Sequence, residues 1–146
     1  MNSMNDTGGV AGPASTHRLR GLVGTGFLAT LAAMVATTLA AALAQAVGVD
    51  FEVFDGGETI PLAGFAVVTG FFSAVGIVIA VALLRWSARP AERFVRTAVS
   101  LTAISLVPPL VAGANTATTT ALLVLHLVPA TVMIPTLARS LRARTH

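Results

Sequence analysis

The feature that most constrains this chain is a division of charge between the two ends of four long apolar segments. The segments cover residues 22–47, 60–84, 94–112 and 118–137. All nine basic side chains are arginines, and they lie before the first segment, between the second and third, and after the fourth: Arg18, Arg20, Arg85, Arg89, Arg93, Arg96, Arg139, Arg142 and Arg144. The connection between the first and second segments carries Asp50, Glu52, Asp55 and Glu58 instead. Because cytoplasmic loops of membrane proteins are enriched in arginine and lysine, the pattern predicts four transmembrane helices, up-down-up-down, with both termini in the cytoplasm.

The composition agrees with an all-α integral membrane bundle. Charged residues make up 10% of the chain and hydrophobic residues 55%, whereas soluble domains contain about 25% charged residues. Anionic lipid headgroups at the inner leaflet are the expected partners of the arginines, at about 1 kcal/mol per residue near the surface. Nucleic-acid binding is not expected, because the chain lacks a continuous basic stripe and base-stacking aromatics.

The segments divide the chain into three parts. Residues 1–20 are expected to form a disordered cytoplasmic tail, residues 21–138 the transmembrane domain and residues 139–146 a basic cytoplasmic tail. A signal peptide is the alternative for the first segment, but that segment is longer than the roughly 7–15 apolar residues of such peptides. The alternation around Asp50 and Glu52 predicts a short extended hairpin between residues 48 and 61, with Phe51 and Phe54 at the level of the lipid headgroups.

Small residues mark the faces on which helices could pack closely. The first segment carries the row Ala32, Ala36 and Ala40, next to a second row of Ala29, Ala33, Thr37 and Ala41. The second segment carries Gly70 and Gly76. Close backbone approach along such rows favours helix association in lipid. The rows therefore predict either the contact surface of a homo-oligomer or packing among the four helices of one chain.

Prolines are expected to interrupt the last two segments. Pro108 and Pro109 remove backbone donors near the end of the third segment, so a kink or an early helix end is predicted there. Pro129 and Pro135 leave two carbonyls of the fourth segment without their usual donors.

His126 is the one ionisable side chain deep inside a predicted span. It is expected to face the bundle with Met133. One possibility is a hydrogen bond to a neighbouring helix, at Ser105 and Thr102 or at Ser73 and Thr69; the other is a ligand bound by His126 together with Ser105, Thr102 and Met133. Metal binding is not expected, because the other two histidines lie in the tails and the chain has no cysteine. The sequence predicts no cofactor.

Two functions remain open, and both are non-enzymatic because no nucleophile motif, carboxylate pair or metal set is present for an enzyme acting on lipid. One is a structural or interaction protein that packs through its small-residue helix faces. The other is a binder or carrier of a small apolar molecule, held in an intramembrane cavity near His126.

The second half of the chain resembles a family of small actinobacterial four-helix membrane proteins (domain of unknown function 6069). The resemblance covers about residues 60–140. It depends on the arginine-rich loop 85–96, the run Ser105-Leu106-Val107-Pro108-Pro109-Leu110, the threonine-rich turn 116–120, Leu125-His126-Leu127 and Ile134-Pro135. It implies a multi-pass inner-membrane protein and implies no activity.

Overall fold

The computed structural model describes residues 12–53 and 57–146. These residues form α1 (Pro13–Ala46), β1 (Glu52–Val53), β2 (Glu58–Thr59), α2 (Leu62–Trp86), α3 (Pro90–Ser105), α4 (Val107–Val111) and α5 (Thr116–Ala143). With α3 and α4 taken together, four helical stretches are long and apolar enough to cross a membrane. The prediction of an all-helical chain with four long apolar helices is confirmed.

Two helices extend into the predicted tails. α1 begins at Pro13, so the prediction of disorder is wrong for residues 13–20, and residues 1–11 of that tail lie outside the described part of the chain. Proline is favoured in a first helical turn, where its missing N–H is not needed, and the leucine and arginines that follow are good helix formers. For the same reason α5 continues through residues 139–143 to Ala143.

The helices form a bundle whose apolar core is divided in two. α1 packs along α2 and α5, α3 packs on α5 and more lightly on α2, and α2 also touches α5. The basic-end cluster contains Leu22, Ala29, Ala33, Ala80, Ala91, Phe94, Met133, Leu137, Ala138 and Leu141. The acidic-end cluster contains Ala41, Phe51, Phe65, Leu122 and Leu125. We call the two ends of the bundle the basic end and the acidic end, after the arginines at one and the acidic hairpin at the other.

α1 presents small residues to both of its neighbours. Its buried positions are Leu22, Gly26, Ala29, Ala33, Thr37 and Ala41. At Gly26 both neighbours approach closely, because a Cβ there would lie 2.7 Å from Ile77 Cγ1 on α2 and 3.4 Å from Leu137 Cδ2 on α5. The row predicted for helix packing is less enclosed, since Ala32 is exposed and Ala36 and Ala40 are half-buried. The adjacent row therefore makes the internal contacts.

The predicted interruption at the paired prolines is confirmed. α3 ends at Ser105, and the five-residue α4 begins at Val107 with a proline in its first turn. A proline ring clashes with the carbonyl four residues earlier and removes a donor, so a continuous helix through Pro108 and Pro109 is unfavourable. Pro129 and Pro135 lie inside α5, which continues past both.

The predicted hairpin is also confirmed, with Glu52 opposite Thr59 and Val53 opposite Glu58 in an antiparallel pair. Phe51 was predicted at headgroup level, but its ring does not face outward. Its side chain is fully buried, and its ring centroid lies 4.9 Å from that of Phe65. Burial in the acidic-end cluster removes the whole ring from solvent. Phe54 lies outside the described residues.

Candidate functional site

A layer of polar side chains separates the two apolar clusters. It consists of Thr37 on α1, Thr69 on α2 and His126 on α5, and we call these three residues the polar layer. Along each helix these residues lie between members of the two clusters: Thr37 between Ala33 and Ala41, Thr69 between Phe65 and Ala80, and His126 between Leu125 and Met133. The buried Ser73 lies one turn from Thr69 on α2, towards the basic end. The core is therefore interrupted by hydrogen-bonding groups near its middle.

Thr37 and His126 lie at the same level of the bundle. α1 runs from the basic end to the acidic end and α5 runs back, with Thr30 Oγ1 4.0 Å from Met133 Sδ. Thr37 lies about two turns after Thr30 on α1, and His126 lies about two turns before Met133 on α5. The helix register thus brings a hydroxyl and an imidazole to one level.

The Thr37 hydroxyl is buried without a partner. The residue is 2% exposed, and its Oγ1 has no hydrogen-bond partner in the described part of the chain. Other threonines of the bundle donate to the carbonyl four residues earlier on their own helix, as Thr30 does to Gly26 at 2.9 Å and Thr102 to Ala98 at 2.8 Å. Leaving a buried hydroxyl unpaired costs about 1–3 kcal/mol. Thr37 therefore has a hydrogen-bonding capacity that the described residues do not use.

His126 has one ring nitrogen engaged and is half-buried. Nδ1 lies 2.8 Å from the carbonyl oxygen of Leu122 on the same helix. A carbonyl can only accept, so Nδ1 carries the hydrogen, and in the neutral ring Nε2 is an acceptor. The polar layer thus offers a donor at Thr37 and an acceptor at His126.

The residues predicted to surround His126 bond elsewhere. The Ser105 hydroxyl donates to the carbonyl of Thr102 at 2.7 Å, and Thr102 in turn donates to its own helix. Short hydroxyl side chains reach nearby carbonyls of their own helix easily, so the predicted hydrogen bond to His126 is not formed. Met133 lies two turns from His126, in the basic-end cluster.

The glycines predicted to pack on α2 differ from each other. A Cβ at Gly70 would lie 3.2 Å from the Met34 sulfur, whereas one at Gly76 would have no heavy atom within 4 Å. Gly70 follows Thr69 directly, and Met34 is about one turn from Thr37. The close contact of α1 and α2 at Gly70 therefore lies beside the polar layer.

Sequence reasoning singled out His126 but did not assign Thr37 to a site. The signal was present, because Thr37 is the one polar residue in a row of alanines that faces the core. Among the described residues no three histidine, aspartate or glutamate side chains converge closely enough to hold a metal ion. The chemistry that the layer supports is hydrogen bonding to a hydroxyl or carbonyl group between apolar walls.

The acidic end of the bundle is closed by hydrogen bonds between the hairpin and α5. The buried Thr118 hydroxyl donates to Asp50 Oδ1 at 2.9 Å, and the backbone N–H of Glu52 donates to the same oxygen at 3.2 Å. Asn115 caps α5 by accepting from the Thr118 N–H at 2.8 Å. Donation by the Glu52 N–H, and then by the Thr118 hydroxyl, lowers the pKa of Asp50.

Comparison with known proteins identifies the family. A model of a family of unknown function, DUF6069, matches residues 17–143, and the chain belongs to this family. The match includes most of α1 and all the later helices, so it extends well beyond residues 60–140, where the sequence resemblance was recognised. No curated protein and no solved structure matches the chain.

Proposed function

We propose that this member of the DUF6069 family is a multi-pass protein of the bacterial cell membrane that binds a small amphipathic molecule in its polar layer. Both termini and the basic end face the cytoplasm in this proposal. The role is non-enzymatic binding or carriage. The observation that carries the proposal is the buried Thr37 hydroxyl, which has no hydrogen-bond partner among residues 12–53 and 57–146, at the level of His126, whose Nδ1 is the nitrogen that bonds within these residues.

Exposed apolar side chains support the membrane part of the proposal. Phe27 and Leu28 on α1 and Phe71 and Phe72 on α2 are each about 60% exposed or more. Contiguous apolar surface of this kind marks contact with a membrane or a partner. At the basic end Trp86 is 80% exposed beside Arg85, and tryptophan is enriched at membrane–water interfaces.

The depth of the polar layer supports binding of a ligand. Thr37 lies nine residues before the end of α1, which is about 14 Å and close to half of a ~30 Å hydrocarbon core. Water is scarce at that depth, so an unpaired hydroxyl costs more there than at a surface. A ligand with one hydroxyl or carbonyl group and an apolar body would accept from Thr37 or donate to His126 while contacting the two clusters.

The test is the small-molecule content of protein purified from its native membrane, measured by mass spectrometry after extraction. Thr37→Val keeps the shape of the side chain and removes the hydroxyl, and His126→Leu removes the acceptor. Either change should reduce the bound molecule several-fold to tenfold, since one hydrogen bond contributes about 0.5–1.5 kcal/mol.

Two matched variants serve as controls. Thr37→Ser retains the hydroxyl, and Thr30→Val removes a hydroxyl of the same helix that already bonds the Gly26 carbonyl. Both should keep the bound molecule. The proposal is contradicted if the wild-type protein carries no small molecule, or if all four variants carry the same amount as the wild type.

A second candidate function is association with another copy through the outward side of α1. Ala32 is exposed there and Ala36 is half-buried at its edge, so a neighbouring helix could approach closely at these positions. Ala32→Leu combined with Ala36→Leu should then weaken cross-linking between differently tagged copies. Unchanged cross-linking would exclude this interface.

A further inference from the structure

The first turns of α3 carry a charged cleft that has no part in the polar layer. It has a volume of about 270 Å³ and is lined by Arg89, Glu92, Arg93 and Arg96. These side chains share the side of α3 that points away from the bundle, because Ala91 and Phe94 on the other side are buried. The cleft is therefore open to whatever surrounds the basic end.

The charges of the cleft favour an anion. Three arginines against one glutamate leave a net charge of +2. Arg89 Nη1 lies 3.6 Å from Glu92 Oε2, but both side chains are mostly exposed, so this pair is weak and leaves the local field positive. Guanidinium groups match the oxygens of a phosphate in a bidentate geometry. The positive end of the α3 dipole adds to the field.

The neighbouring residues indicate the depth of the cleft and the rest of its ligand. The exposed Trp86 lies three residues before Arg89, which is the arrangement of an interfacial anchor. Further along α3, Val99 and Ile104 are more than half exposed on the sides adjoining the cleft. An anion bound in the cleft thus has apolar surface directly next to it, and with the membrane topology of the proposed function, on which this inference rests, that surface faces the hydrocarbon.

We propose that this cleft is a binding site for the phosphate group of an anionic phospholipid, with its acyl chains along the exposed apolar side of α3. The volume is slightly below the roughly 300–1,000 Å³ of sites that enclose a whole small ligand. It therefore suits a headgroup with the chains left outside. Arg93 and Arg96 are the principal contacts, because Arg89 is shared with Glu92.

The experiment measures binding of phosphatidylglycerol and of phosphatidylcholine to the full-length protein in neutral detergent, by native mass spectrometry. The wild type should bind more phosphatidylglycerol than phosphatidylcholine. In the double variant Arg93→Gln/Arg96→Gln the ratio of the two bound lipids should fall at least about tenfold. The control Arg139→Gln/Arg142→Gln removes two exposed arginines from α5 at the same end of the bundle. It should change the preference for phosphatidylglycerol by less than about threefold.

Two further arms make the result specific. Arg93→Lys/Arg96→Lys keeps the charge and removes the guanidinium fork, so it should lose an intermediate part of the preference. Millimolar inorganic phosphate should not displace the lipid. Equal losses in the α3 and α5 double variants would overturn the proposal in favour of general surface charge, and complete displacement by inorganic phosphate would show a simple anion cleft instead.

Discussion

Asp50 shows how a single carboxylate connects two distant parts of the chain. Its Oδ1 accepts from the neighbouring Glu52 N–H and from the Thr118 hydroxyl of α5. Both bonds favour the ionised form, so the pKa of Asp50 is lowered from its ordinary value of 3.8. These two hydrogen bonds to the hairpin segment are therefore stronger while Asp50 is charged, and they add to the packing of Phe51 in the acidic-end cluster.

This arrangement predicts a pH dependence with a definite sign. Because the folded pKa is depressed, the stabilisation is present above the ordinary value of 3.8 and is lost as the pH falls through the lower folded value. The thermal midpoint of the wild type should exceed that of Asp50→Asn at neutral pH, and the difference should shrink below about pH 4. The control is Glu58→Gln, which removes the same charge from an exposed side chain of the hairpin, and its thermal midpoint should not approach that of the wild type in this way. A difference in thermal midpoint between the wild type and Asp50→Asn that stays constant down to pH 3 would contradict this account.

Single residues were predicted unevenly from the sequence. His126 could be singled out because an ionisable group inside an apolar segment is rare. Of its candidate partners, Ser105 and Thr102 donate instead to carbonyls of their own helix, whereas Thr69 lies in the polar layer. Phe51 was misplaced because it lies in a polar hairpin, and nothing in the local pattern shows that the chain adopts a φ of 53° there to turn the ring into the core.

At the scale of the helix, α1 organises the bundle because its small residues let α2 and α5 approach together. Gly26 is the point at which a Cβ would meet both neighbouring helices, at Ile77 on α2 and Leu137 on α5. In lipid the burial of one apolar chain against another gains little over contact with lipid, so this closeness is a main source of helix–helix attraction.

Gly26→Val should therefore destabilise the bundle by about 1–3 kcal/mol, the usual cost of overpacking a core. The control is Gly24→Val two residues away, where an added Cβ would have no heavy atom within 4 Å. Denaturant titration in detergent measures both unfolding free energies. Equal free energies for the two variants would show that the three helices do not meet closely at Gly26.

Helix interruptions were predictable where the backbone chemistry dictates them. Pro108 and Pro109 stop α3 because two successive residues lack donors. Pro129 and Pro135 do not stop α5, because single prolines far apart can be absorbed when neighbouring helices hold the segment. The helical ends 13–20 and 139–143 were missed, since their polarity resembles that of a tail while their helix propensity is high.

For the whole molecule, the four long apolar helices and the charge difference between the ends followed from the sequence, whereas the division of the core did not. Apolar segments of sufficient length define helices locally. The polar layer depends on how α1 and α5 are aligned along each other, as the contact of Thr30 with Met133 illustrates. Helix register is a tertiary property, so it could be read only from the structure.

The account as a whole depends on the bundle crossing the cell membrane with its basic end in the cytoplasm. The chain contains no cysteine, so single cysteines can be introduced at Ala88 and Thr145 at the basic end and at Thr59 in the hairpin. Labelling of spheroplasts with a membrane-impermeant maleimide is the direct measurement. The account predicts that Thr59→Cys is labelled and that the other two react only after permeabilisation; labelling of Ala88→Cys in intact spheroplasts, or protection of Thr59→Cys, would contradict it.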